Sequence, residues 1–207
     1  MPSRAVPAST RNVLKSLGAR PEIAGPFYLA GGTALALRLD HRISEDLDLF
    51  TPDEVEPDLL AARLEGAVVT AASKGTLHVL LAGVRVSFLH YPPPLLYATS
   101  EEEGIRVADA RDVGVMKLAA AAGRGLRRDF VDLYVLAKRV APLDALLTDF
   151  QRRFGDTYSR YHLLRSLAYF DDAEHDPPLR LLDALSWDEV KAFLAAEQRR
   201  LFAAGAP

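Results

Sequence analysis

Cysteine is absent from this 207-residue chain, which excludes a disulfide framework and any thiolate metal site and fits a reducing compartment. No stretch approaches the roughly 18–20 consecutive apolar residues that a membrane-spanning helix needs. The first eighteen residues are broken by Pro2, Arg4, Pro7, Arg11 and Lys15 and hold no apolar run of signal-peptide length. These absences predict a cytoplasmic protein without membrane association. An excess of positive charge is missing too: 25 basic against 28 acidic residues leave a net charge of −3, far from the global field of a dedicated nucleic-acid coat. Internal repeats and low-complexity tracts are also lacking.

Apolar residues are plentiful. Hydrophobic side chains make up 49% of the chain, ample for a core at this length. A helix is expected over 8–19, with Val13, Leu14 and Leu17 as its apolar side. Residues 27–30 read as a short strand, Gly31-Gly32 as a turn, and 33–39 as a run of good helix formers. A second strand is expected over 44–50, and a helix over 57–65 with Pro57 near its start. Residues 77–82 and 84–91 predict an antiparallel hairpin turning at Gly83, and 105–108 a further short strand. From there on the pattern is helical: 112–122, 129–140, 143–154, 157–170 and 187–202, the last opened by the capping-box pair Ser186 and Glu189. Strands first and helices after is an α+β order, with an α/β core over 1–110 and a helical domain over 111–207.

Three features carry chemistry. Asp46 and Asp48 alternate with apolar residues, so on a strand their Cα atoms lie about 6.5 Å apart and their side chains face one way. Two readings fit: a solvated edge strand, or a pair of oxygen donors for a divalent cation such as Mg²⁺ that shares its shell with substrate phosphates. Upstream, Gly31-Gly32 lies between a strand and a helix starting at Thr33, where backbone amides and the helix dipole favour a phosphate. Arg38, His41, Arg42 and Ser44 lie between the two features, either as phosphate contacts or as partners for Asp40 and Glu45. Third, Lys117 and Arg124 are seven apart, within about 20° of each other on a helix face, and could reach far from it. Asp129 and Asp132 fall on one side of the next helix; Asp129 could equally cap that helix and Asp132 pair with Arg128.

Taken together, Gly31-Gly32-Thr33-Ala34-Leu35, His41-Arg42 with Ser44, Asp46 and Asp48, then Lys117, Arg124 and Arg128-Asp129-Phe130 with Asp132-Leu133-Tyr134 resemble the nucleotidyltransferase family of AbiEii/AbiGii-type toxins. That family belongs to the superfamily with the DNA polymerase β nucleotidyltransferase fold, and the resemblance runs from about residue 27 to 138. It implies a small mixed sheet with flanking helices plus a C-terminal helical bundle. It implies transfer of a nucleoside monophosphate from a nucleoside triphosphate to an acceptor hydroxyl, with Mg²⁺ or Mn²⁺ as cofactor. By position, Asp46 and Asp48 become catalytic metal ligands, and Gly31, Gly32 and Thr33 the phosphate turn. Arg42 and Ser44 become nucleotide contacts, Lys117 and Arg124 triphosphate contacts, and Asp129 a base or orienter of the acceptor. RNA, with the tRNA 3′ end first, is the implied acceptor and a cognate antitoxin the implied partner; protein or small-molecule acceptors are the alternatives.

One departure bears on activity. Many polymerase-β-like enzymes carry a third carboxylate on a later strand, and 84–90 holds none, with Ser87 and His90 its only non-cationic polar residues. Either two carboxylates suffice, with Asp129 or another acid helping, or the chain is a catalytically idle nucleotide- or partner-binding relative.

Overall fold

Val13, Leu14 and Leu17 recur at helical spacing and are buried on one side of α1 (Ala8–Gly18). In the computed structural model, which describes residues 3–204, the chain divides into two compact units at Asp109–Ala110. In the first, a short α2 (Pro21–Ala24) leads into β1 (Tyr28–Ala30), α3 (Gly31–Leu39), β2 (Leu47–Thr51) and α4 (Pro57–Arg63). Then come β3 (Ala67–Ser73), β4 (Thr76–Leu81), β5 (Val84–His90), β6 (Ser100–Glu102) and β7 (Ile105–Val107).

The strands form one seven-stranded mixed sheet in the order β3-β4-β5-β2-β1-β7-β6. β2 runs parallel to β5 and β1 parallel to β7; the other neighbours are antiparallel. Alternation decides the faces: Leu47, Leu49, Val86, Phe88, Leu77 and Val79 are buried, while Asp48, Ser87 and His78 are half-buried on the opposite side. The β4–β5 hairpin turns at Ala82 and Gly83, both with positive φ, as a type I′ turn requires.

The second unit is helical: α5 (Ala110–Gly123), α6 (Arg127–Arg139), α7 (Leu143–Phe154), α8 (Arg160–Ser166), α9 (Asp171–Glu174) and α10 (Trp187–Ala204). Its core joins Val113, Leu118, Phe130, Leu133, Leu146, Phe150, Val190 and Leu194. Trp187 packs on Phe130 and Phe170, with the Arg127 guanidinium 5.1 Å from its ring centroid. The mixed sheet with helices, followed by a helical unit, is the α+β architecture expected from the resemblance. Among the described residues no helix is long and apolar enough to cross a membrane.

Some element boundaries differ from the sequence pattern. The strand expected over 44–50 begins at Leu47, because the Ser44 amide donates to the Ala5 carbonyl and the Asp46 carbonyl accepts from the Thr33 hydroxyl. The helix expected over 157–170 is interrupted: Ser159 caps a short α8, and the chain leaves it at Leu167 before α9. The sequence pattern predicts no strand over 67–73, where β3 forms with nearly every side chain exposed. Half of the capping box at α10 forms: the Ser186 hydroxyl accepts from the Glu189 amide, while the Glu189 carboxylate takes the Tyr134 hydroxyl instead.

Candidate active site

The turn between β1 and α3 brings the first unit's candidate residues together. Gly31 has a φ of +68°, and a Cβ there would stand 2.8 Å from an Asp48 carboxylate oxygen. Only glycine combines that backbone with so close an approach. A Cβ on Gly32 would stand 2.5 Å from the Arg42 guanidinium and 3.1 Å from the Ser44 hydroxyl. Ala30 precedes the helix in an extended conformation and no side chain caps the first amides of α3, leaving donors of the kind that bind anions. Arg42 is 4% exposed and Ser44 8%. The Thr33 hydroxyl lies 2.8 Å from that of Ser44 and donates to the Asp46 carbonyl, fastening the start of α3 to the segment carrying the acids.

Sheet register sets the carboxylates. Asp48 stands opposite Ala30 on β1 and Ser87 on β5. Ser87 is in turn opposite His78 on β4, and its hydroxyl lies 3.0 Å from the His78 Nδ1. Asp46, one residue before β2, is gripped by Arg85: Nε and one terminal nitrogen of the guanidinium donate to its two oxygens at 2.9 and 3.0 Å. The two hydrogen bonds, and then the charge of Asp46, raise the Arg85 pKa further. Asp46 and Asp48 thus have different neighbours, a guanidinium for one and a glycine turn for the other.

In the second unit, Lys117 is buried in a charge cluster. Its Nζ lies 2.8 Å from Asp129 Oδ1 and 2.7 Å from Asp132 Oδ2, with both aspartates fully buried. Arg124, just past the end of α5, adds a longer contact to the other Asp129 oxygen at 3.4 Å with its own side chain 58% exposed. Lys117 therefore turns inward between two carboxylates, and Arg124 is the cation of that pair that reaches solvent. Asp129 lies in the first turn of α6 but binds cations there and caps nothing.

Sequence reasoning missed Arg85 and His78 as site residues. Alternation along β5 puts Arg85 and Ser87 on the face away from Val84, Val86 and Phe88, a signal that was available. Their pairing with Asp46 and Asp48 comes from the parallel β2–β5 register, which no local pattern encodes.

Asp46 and Asp48 are hard oxygen donors beside a turn a Cβ would fill, a donor set that suits Mg²⁺ sharing its shell with phosphates. Among the described residues no three His, Asp or Glu side chains could hold a metal by themselves.

The description "Nucleotidyl transferase AbiEii toxin, Type IV TA system" fits a family model matching residues 13–86 and 82–202. An uncharacterized protein of Aquifex aeolicus (strain VF5) is 34% identical over 184 residues, covering 83% of this chain and 85% of that protein. Among solved structures, JHP933 from Helicobacter pylori has a TM-score of 0.54 at 22% identity, covering 94% of this chain and 89% of that one. MenT4, a nucleotidyltransferase toxin from Mycobacterium tuberculosis H37Rv, has a TM-score of 0.52 at 20% identity, covering 94% and 88%. These structural likenesses show the fold. The extent of the family match shows more: the chain belongs to the AbiEii nucleotidyl transferase toxin family and is a nucleotidyltransferase.

Proposed function

We propose that the protein transfers a nucleoside monophosphate from a nucleoside triphosphate to a hydroxyl of RNA, with the tRNA 3′ end as the first acceptor to test. The observation that carries this reading is the Asp48 carboxylate packed against an uncapped glycine turn at the start of α3. The turn's amides, with Arg42 and Ser44 beside them, hold phosphate oxygens through hydrogen bonds and charge. The acceptor hydroxyl oxygen then bonds to the α-phosphorus as its proton passes to water, the bond from that phosphorus to the α–β bridging oxygen breaks, and pyrophosphate leaves. Positioning and charge neutralisation supply most of the rate in such transfers.

Asp46 and Asp48 would hold Mg²⁺, or Mn²⁺ in its place, together with substrate phosphates. Bound there, the ion neutralises phosphate charge. In the second unit we assign Arg124 to the triphosphate, and Asp129, fully buried with its two oxygens on Lys117 and Arg124, to holding those cations in place together with Asp132, a role that replaces the acceptor contact expected for it. Membership of a toxin–antitoxin family supports a cognate antitoxin as partner.

The test incubates the protein with Mg²⁺ or Mn²⁺, each α-labelled nucleoside triphosphate in turn, and total bacterial RNA, alongside Asp48→Ala. Label in a discrete RNA band with the wild type alone is the expected result and names the base. Label on protein only would overturn the RNA acceptor while keeping the transfer. No label on any macromolecule would overturn the macromolecular acceptor altogether.

A further inference from the structure

Arg85 occupies the carboxylate that the transfer reading gives to the metal. Both oxygens of Asp46 are taken, at 2.9 and 3.0 Å, by two nitrogens of one guanidinium, the bidentate geometry that matches arginine to carboxylate. The β2–β5 register makes this contact a property of the sheet: Leu47 stands opposite Val86 and Asp48 opposite Ser87, so Arg85 falls beside Asp46. The fold thus sets a cation next to the acid pair.

We propose that Arg85 is a resident counter-cation of Asp46, competing with divalent metal so that the metal is captured together with the triphosphate and not ahead of it. This rests on the transfer reading of the site. The pair is displaceable: the Arg85 side chain is 74% exposed and that of Asp46 34%, and ion pairs so open to water are weak. Room for the displaced guanidinium lies alongside, in an open cavity of about 530 Å³ lined by Thr10, Glu45 and Gly83 among others. A free divalent ion meets Asp46 already neutralised. An ion carried on a triphosphate arrives with the phosphate hold of the Gly31–Thr33 turn added, and that added affinity displaces the arginine.

The experiment is a Mn²⁺ titration read by electron paramagnetic resonance, without nucleotide, on the wild type, Arg85→Gln, and Arg85→Gln/Asp46→Asn. Removing the competing cation is expected to tighten Mn²⁺ binding at least about 5-fold, a gain of about 1 kcal/mol. Adding Asp46→Asn is expected to erase that gain. Binding that is unchanged or weaker in Arg85→Gln, or a gain that survives Asp46→Asn, overturns the proposal. The labelled-transfer assay on the wild type separates the two ideas. Transfer without a Mn²⁺ gain sinks the role of Arg85 alone; a gain without transfer sinks the transfer reading and leaves Arg85 as the competitor of a metal-binding carboxylate.

Discussion

Lys117 has almost no exposure and holds two buried carboxylates at 2.8 and 2.7 Å. Removing its charge takes from Asp129 and Asp132 the ammonium that both share and leaves Asp129 only the longer Arg124 contact, and breaking a buried ion pair in this way typically costs about 3–5 kcal/mol. Lys117→Ala is therefore expected to destabilise the helical unit by about 3 kcal/mol. The single tryptophan, Trp187, lies in that unit against Phe130 and Phe170, so urea unfolding followed by its fluorescence reads the effect directly. Neutralising both acids as well, in Lys117→Ala/Asp129→Asn/Asp132→Asn, should recover part of the loss; a triple variant as unstable as the single one would contradict the charge account. Gly31 makes the opposite case. A methyl there meets the Asp48 carboxylate at 2.8 Å in a backbone with φ +68°, so Gly31→Ala should displace the acid and cut transfer by about 100-fold. Its melting temperature should fall only modestly; a variant that transfers label normally would show that the glycine is not needed by the site. Gly31, Gly32, Asp46, Asp48 and Asp129 were all legible as candidates, since each stands out by residue type and spacing. The burial of Lys117 was not, because the same spacing serves a reaching lysine and an inward one.

Among the elements, β1, α3 and the β4–β5 hairpin follow from local signals that agree with one another: an apolar run, a glycine pair, helix formers, a turn glycine. β3 is different. Val68 and Val69 are 61% and 48% exposed on an edge strand, so no alternation marks it, and pairing with β4 alone makes it a strand. The end of α3 is also set from a distance. Asp40 adopts a left-handed conformation at the C-cap and accepts from the Ser3 hydroxyl at 2.8 Å and the Ala5 amide at 2.9 Å. The Ser3 bond first, then that of Ala5 and the nearby Arg4 charge, hold its carboxyl below the ordinary range against a desolvation that works the other way. A depressed carboxyl stabilises the fold above its unfolded pKa, and that contribution is lost as pH falls through the folded value. At neutral pH Asp40→Asn should melt about 2 °C below the wild type, the partial exposure of the group limiting the effect. The two curves should converge only as the pH falls through the folded value of Asp40, which lies below the ordinary carboxyl pKa. A difference that stays constant across the titration would remove Asp40 ionisation as its cause.

At the scale of the whole molecule, charge bears on the acceptor. The sequence offers basic residues around 124–128 and 152–165 that could hold an RNA backbone. The structure commits several to other work. Arg153 is buried against Asp112. Arg127 donates to the carbonyls of Ala173 and Glu174 and lies over Trp187. Arg152 pairs with Asp149 and Arg124 with Asp129, but both side chains stay more than half exposed and so still count toward an upper bound. Burial and pairing of this kind cannot be read from a run of arginines, whereas the net charge of −3 can. Arg124, Arg128, Arg152, Arg160 and Arg165 then set the upper bound on phosphate contacts from these clusters. Each contact contributes about −0.7 to the slope of log K against log salt for a single strand. Binding of tRNA, followed by fluorescence anisotropy between about 50 and 200 mM salt, should therefore show a slope no steeper than about −4. Arg160→Ala/Arg165→Ala, which touches exposed residues outside the proposed site, should flatten it by about 1.4 and weaken binding to all RNA sequences alike. A steeper wild-type slope would mean that RNA meets basic residues beyond these clusters, and an unchanged one in the double variant would take α8 out of the acceptor footprint.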